Sequence, residues 1–373
     1  MLQLHNMVEK FGQLLTIGIR GTSLTEDEAE FIVKNNIGGV ILFARNIETP
    51  EQVHALCSSI QSLRHKMKDK APLFISVDQE GGRVARMKTP FTQWPPLSTV
   101  GNLDSTSVAF RFALDMAAEL RAVGINLDFA PCVDVLTNPK NAVIGDRSLS
   151  SDPEKVAKLA SALVRGYIKG GIIPCAKHFP GHGNTLLDSH EALPVEDVDV
   201  ERLKSIELVP FKKVFRARLD LVMTAHIKYT HLDPEWPATL SEIILQKLLR
   251  EELRYRGLVI SDDLDMKALA NNYSESEIPV RAFQAGCDIL LYCNNFDKPQ
   301  VALDALEKAS KDHKISAKRV EESFNRVLAL KKEALGNPDP PELSQALTII
   351  GQDQHSRLSQ AIKSGSVPAD LLT

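Results

Sequence analysis

Short runs of consecutive apolar residues recur along the chain, separated by longer stretches in which apolar positions fall three and four apart. The runs occupy residues 14–18, 39–43, 73–77, 125–133, 172–176, 221–225, 258–260 and 288–292, eight in all. Near-continuous Val/Ile/Leu runs of this length are what strands covered on both faces look like, because a one-sided strand would alternate apolar with polar. The intervening stretches are long enough for a crossover helix each. Alternation of strand and helix eight times predicts an α/β fold, a single (β/α)8 barrel, with an open doubly wound sheet as the alternative.

Helix punctuation agrees with that pattern. Asp152-Pro153-Glu154 supplies an N-cap, an N1 proline and an early acid ahead of residues 156–167, and Gly170-Gly171 stops that helix. Ser241 and Glu242 open another, which ends before Gly257. After the eighth run, residues 316–335 place Val320, Phe324, Val327 and Leu328 on one side of a further amphipathic helix. Asn337-Pro338-Asp339-Pro340-Pro341 then breaks the pattern. The expected organisation is a catalytic barrel over residues 1–337 and a helical C-terminal extension of uncertain order over 338–373.

Composition narrows the class. Of 373 residues, 43% are hydrophobic and 25% charged, the ordinary mix of a globular protein. A formal charge of -4 leaves no basic surplus for phosphates, so no nucleic-acid partner is expected. No stretch approaches the ~20 apolar residues of a membrane span. The first residues, Met1 to Met7, lack the basic and apolar regions of a signal peptide. Cys57, Cys132, Cys175, Cys287 and Cys293 are odd in number and form no CxxC pair, which suits a reduced, cytoplasmic protein.

Chemistry is expected where barrel strands end, since the loops there share one mouth. The third run ends in Asp78-Gln79-Glu80-Gly81-Gly82-Arg83, followed by Arg86; the loop after the fourth reaches Gly145-Asp146-Arg147-Ser148. The fifth ends in Lys177-His178-Phe179-Pro180-Gly181-His182-Gly183-Asn184 and continues to Asp188-Ser189-His190. The sixth gives Thr224-Ala225-His226 and the seventh Ser261-Asp262-Asp263. Each alone has a bland reading: Ser261-Asp262-Asp263 as a helix cap, His226 as a core histidine, Lys177 as an ion-pair partner. Together they put ionisable groups on five successive strand ends. In Asp188-Ser189-His190 a carboxylate two residues from an imidazole can fix its tautomer and raise its basicity, the arrangement of a group that protonates a leaving oxygen and later deprotonates water.

These motifs resemble family 3 glycoside hydrolases, and within them the bacterial β-N-acetylglucosaminidases of peptidoglycan recycling. The resemblance rests on Lys177-His178-Phe179-Pro180-Gly181-His182-Gly183 with Asp188-Ser189-His190, and on the segments around Asp78, Arg147, His226 and Asp262, which follow the family's order. It implies a retaining enzyme that removes terminal β-linked N-acetylglucosamine from muropeptides through a covalent glycosyl-enzyme, with no cofactor and no metal. By the same resemblance Asp262 is the nucleophile and His190 the acid/base, with Asp188 as its partner. Asp78, Arg86, Arg147, Lys177 and His178 are the sugar-binding set. Strand alternation would turn Asp262 and Asp263 to opposite faces, so only one is expected to meet substrate. The family usually has Asp where this chain has Asn184, which puts the electrostatics of the catalytic loop in question.

Rival readings use the same residues. His178, His182, His190 and Asp188 are a possible ligand set for a metal-dependent barrel hydrolase. Lys177 is a possible Schiff-base lysine of a barrel aldolase. A β-glucosidase, a glycoside phosphorylase of the same family, or a silent sugar-binding barrel complete the alternatives.

Overall fold

The computed structural model describes residues 7–189 and 191–373. The eight apolar runs are the eight strands of a closed parallel barrel: β1 Leu15–Gly18, β2 Gly39–Leu42, β3 Phe74–Val77, β4 Leu127–Asp128, β5 Ile173–Phe179, β6 Leu221–Thr224, β7 Leu258–Asp263 and β8 Ile289–Tyr292. Each strand pairs with its sequence neighbour, and β1 closes on β8 with Leu15 opposite Leu290. Residues of β1, β2, β3, β5, β6 and β8 are buried throughout, which is why these runs carry no polar alternation. The (β/α)8 barrel is therefore the observed fold, with the helices packed outside it.

Caps form where the sequence placed them. Asp152 accepts from the Glu154 and Lys155 amides at 2.9 and 3.4 Å at the start of helix Pro153–Lys169. The segment opened by Ser241 is wound as a π-helix over Ile243–Glu252, its Ser241 Oγ accepting from the Ile244 amide at 3.1 Å. Helix Ala317–Ala334 buries Val320, Phe324 and Val327. Its Lys331 reaches the amino-terminal end of the barrel, donating to Gln13 Oε1 and to the Gly38 carbonyl, both at 2.7 Å.

Residues 338–373, whose order the sequence left open, form helices Leu343–Ile349 and Asp353–Ser364. Ala346, Ile350, Leu358, Ile362 and Leu371 are buried. Glu119, on helix Thr106–Ala122, accepts from the Gly351 amide at 3.0 Å and meets His355 Nδ1 at 2.9 Å. All five cysteines are free and buried. Among the described residues no helix is long and apolar enough to cross a membrane.

Candidate active site

A cavity of about 410 Å³ opens at the carboxyl ends of the strands, a size suited to a sugar ring. Asp78, Arg86, Arg147, Lys177 and His178 line it together with Asp188 and Asp262. His190 lies outside the described residues.

One wall is a lattice of buried charges. Lys177 Nζ lies 2.7 Å from both Asp78 Oδ1 and Glu80 Oε1. Arg147 meets Glu80 with two parallel bonds of 2.9 Å, Nε to Oε2 and Nη2 to Oε1. Arg86 approaches Asp78 at 3.5 Å. Burial works to raise the Glu80 carboxyl, but Arg147 and Lys177 outweigh it and hold the group well below the ordinary carboxylate range. Burial likewise opposes charge on Lys177 and Arg147, and their carboxylate partners raise both above their usual values.

Behind this wall Asp134 organises two histidines. Its Oδ2 accepts from His178 Nδ1 at 2.7 Å, and its Oδ1 from the His182 amide at 2.6 Å. Burial would raise the Asp134 carboxyl; His178 and the bonds it receives bring it down to about 2. An ionised Asp134 fixes a proton on His178 Nδ1, so His178 Nε2, 3.4 Å from Arg147 Nη2, is the acceptor facing the cavity; the tautomer follows from the hydrogen-bond network. His182 bridges Thr185 Oγ1 at 2.8 Å and Ser189 Oγ at 3.2 Å. Burial, then the neighbouring His178, lowers its pKa to about 4, so it is a neutral strut. It ties the wall to the loop that carries Asp188.

Two bulges aim consecutive side chains into the mouth. Between β5 and β6 the register runs Ala176 opposite Val222, then Phe179 opposite Thr224, three steps against two. Between β7 and β8, Ile260 faces Ile289 and Asp263 faces Leu291, again three against two. Lys177 and His178 both line the cavity, and so do Asp262 and Asp263, which corrects the expectation from strict alternation. The two aspartates differ in use. Asp263 Oδ1 accepts from the amides of Asp265 and Cys293 at 3.1 and 3.2 Å, and burial raises this carboxyl to about 7. Asp262 Oδ1 accepts from the Asp263 amide at 2.8 Å.

Other candidates take structural places. His226 is buried, with Nδ1 2.7 Å from Thr239 Oγ1 and Nε2 2.9 Å from the Asp263 carbonyl, which fastens β6 to β7. Asn184 donates to Glu196 Oε2 at 2.6 Å and accepts from Arg202 Nη2 at 2.8 Å. An aspartate there would face the Glu196 carboxylate, so the amide suits this loop. Glu80 and Asp134 were not singled out in the sequence. Glu80 follows Asp78 by two residues in the segment that leaves β3, which is a readable signal. Asp134 sits one residue beyond the fourth apolar run, and its partner His178 is 44 residues away, which no local pattern reveals.

Among the described residues, Cys132, Asp134 and His178 are the one group whose ligand atoms lie close enough for a metal, all within 4.8 Å. They fit one poorly. His178 Nδ1 already bonds Asp134, the other Asp134 oxygen holds the His182 amide, and burial keeps the Cys132 thiol protonated.

Comparison with known proteins agrees with the geometry. The model of the glycosyl hydrolase family 3 N-terminal domain matches residues 6–330. A beta-hexosaminidase of Nitrosomonas eutropha is 39% identical over 299 residues, 79% of this chain and 84% of that protein. Among solved structures, a family 3 beta-N-acetylglucosaminidase from Paenibacillus sp. superposes with a TM-score of 0.90 at 37% identity, covering 97% of this chain and 69% of that one. NagZ from Neisseria gonorrhoeae, in complex with N-trifluoroacetyl-D-glucosamine, gives 0.77 at 31% identity, covering 95% of this chain and 98% of its own. Matching a family model over most of its length, with the barrel and the strand-end motifs in place, the chain belongs to family 3 of the glycoside hydrolases.

Proposed function

We propose that the protein is a retaining β-N-acetylglucosaminidase that removes terminal β-linked N-acetylglucosamine from peptidoglycan fragments. The observation that carries this reading is the convergence of Asp78, Arg86, Arg147, Lys177, His178, Asp188 and Asp262 on one sugar-sized cavity. The ion-paired wall offers fixed donors and acceptors to ring hydroxyls. Lys177 and Arg147 keep N–H groups available while Asp78 and Glu80 offset their charge, so a neutral sugar meets oriented dipoles rather than a net field.

Asp262 attacks the anomeric carbon while His190 gives its proton to the departing oxygen. The aglycone leaves as an alcohol, and the sugar stays on Asp262 as an ester. His190, now neutral, takes a proton from water, whose oxygen attacks the same carbon and releases Asp262. Asp188 orients the imidazole. Asp263 cannot easily exchange roles with Asp262, because two backbone amides hold one of its oxygens.

The test is hydrolysis of an aryl N-acetyl-β-glucosaminide beside the aryl β-glucoside, each with and without phosphate and chelator. A preference of roughly a hundredfold for the N-acetyl sugar is expected, since a site built to hold the acetamido group leaves polar atoms unpaired without it. Phosphate and chelator should change nothing. Equal rates on the two sugars would move the protein to β-glucosidases, and a phosphate requirement would make it a phosphorylase.

A further inference from the structure

The basic groups that line the cavity are paired with carboxylates. Lys177 and Arg86 answer Asp78, Arg147 answers Glu80, and Arg83 pairs with Asp146 at 2.8 Å. Arg20, in a neighbouring pocket, pairs with Asp27 at 2.9 Å. Arg45 is different. It is exposed, and among the described residues no carboxylate lies within ion-pair distance of it.

Its guanidinium is nevertheless held in one position by neutral oxygens. Nε donates to the Ile19 carbonyl at 3.0 Å, Nη1 to Asn294 Oδ1 at 2.7 Å and Nη2 to the Cys293 carbonyl at 2.7 Å. Two rings flank it: Phe43, 4.8 Å from the guanidinium carbon, and Phe296 at 5.9 Å. A guanidinium has five N–H groups, so these bonds leave one on each of Nη1 and Nη2 for an outside acceptor. Phe43, Cys293 and Asn294 also line the sugar cavity, so Arg45 sits on its rim.

Asp263 and Glu28 act on Arg45 only from beyond ion-pair distance, and a guanidinium whose rotamer is already fixed costs little further ordering when an anion arrives. The neutral sugar in the balanced cavity has no use for it. We propose that Arg45 forms a carboxylate-binding subsite for an anionic aglycone, such as the acidic lactyl or peptide groups of a peptidoglycan fragment. This rests on the glycosidase reading above and deepens it: neutral chitin fragments would not engage the subsite.

The experiment compares N-acetylglucosaminyl-β-1,4-N-acetylmuramic acid, which carries a lactyl carboxylate, with its methyl ester, on the wild type and on Arg45→Gln. The wild type should prefer the acid by about fivefold in kcat/KM at low salt, in keeping with a partly exposed charge-assisted contact, and the preference should shrink at high salt. Arg45→Gln should lose it while the ester falls by less than about threefold, a change well under one tenfold step in affinity. Retained ester cleavage also reports that the variant folds. A muramyl-dipeptide substrate, whose lactyl group is amidated, locates the carboxylate: preference there, lost in the variant, supports the same subsite through the peptide acid. Equal treatment of acid, ester and dipeptide by the wild type would overturn the proposal. So would equal losses on all of them in the variant, which would leave Arg45 a staple between the loops after β1 and β8. Failure to cleave any N-acetylglucosaminide, the simple aryl one included, would instead sink the underlying enzymatic reading.

Discussion

On the β3–β5 side of the cavity, Glu80, Lys177 and His178 are almost completely buried; Lys177 and Arg147 are answered by Glu80, and Asp134 is held by hydrogen bonds from His178 and the His182 amide. Across the mouth, the stretch after Asn184 turns Leu186 and Leu187 outward, 73% and 52% exposed, beside Asp188. His182, neutral and buried, is the strut between them. The difference separates two tasks. A sugar ring is held best by groups that cannot move, and a proton must be delivered where aglycone and water come and go. Buried mutual neutralisation gives the first; a loop with an exposed tip gives access for the second.

The largest test of that division is His190→Ala. If the loop supplies protonation and the wall only holds the sugar, poor leaving groups should lose about 10²- to 10⁴-fold while acidic phenols form the glycosyl-enzyme almost normally. Azide should then rescue the second step as a β-glycosyl azide. A defect independent of leaving-group pKa would return His190 to a binding role.

Glu80→Gln addresses the wall. It leaves Arg147 buried without its carboxylate and removes one of the two partners of Lys177. A stability loss of about 3 kcal/mol is expected by chemical denaturation, because an unpartnered buried charge costs more than the pair contributes. A loss below about 0.5 kcal/mol would show the lattice to be a hydrated surface cluster.

The strut has a pH signature. His182 has a folded pKa near 4 against an ordinary 6.5, so between these values the unfolded chain binds more protons. Its contribution to stability is complete above pH 6.5 and is lost as pH falls towards 4, up to about 3 kcal/mol. Melting curves of the wild type and His182→Gln should converge in acid. Parallel curves would mean His182 does not titrate in this window. The smallest effect belongs to the exposed loop: Leu186→Ser should shift stability by no more than about 0.5 kcal/mol, read by the same unfolding curves.

Much of this was legible in the sequence. Strands buried on both faces announce themselves as apolar runs, and all eight runs became barrel strands. Asp152 and Ser241 cap the helices they were read to open. The bulges were not legible, because period-two reasoning assumes a regular ladder, and both Lys177-His178 and Asp262-Asp263 depart from it. Asp134 was hidden because its role comes from a partner on another strand. The proline-rich break at Pro338 marked an end to helix Ala317–Ala334, but not the packing of the helices beyond it, whose anchor, Glu119, is 236 residues from His355.

Both aspartates of the second bulge line the cavity, and the proposed mechanism assigns only one of them to the anomeric carbon. Trapping with a 2-deoxy-2-fluoro glycoside bearing a good leaving group, followed by peptide mapping of the labelled protein, separates them. The label is expected on Asp262, since two backbone amides hold Asp263 Oδ1 and burial raises the Asp263 carboxyl to about 7, which weakens it as a nucleophile. A label on Asp263, or on any residue outside β7, would contradict it.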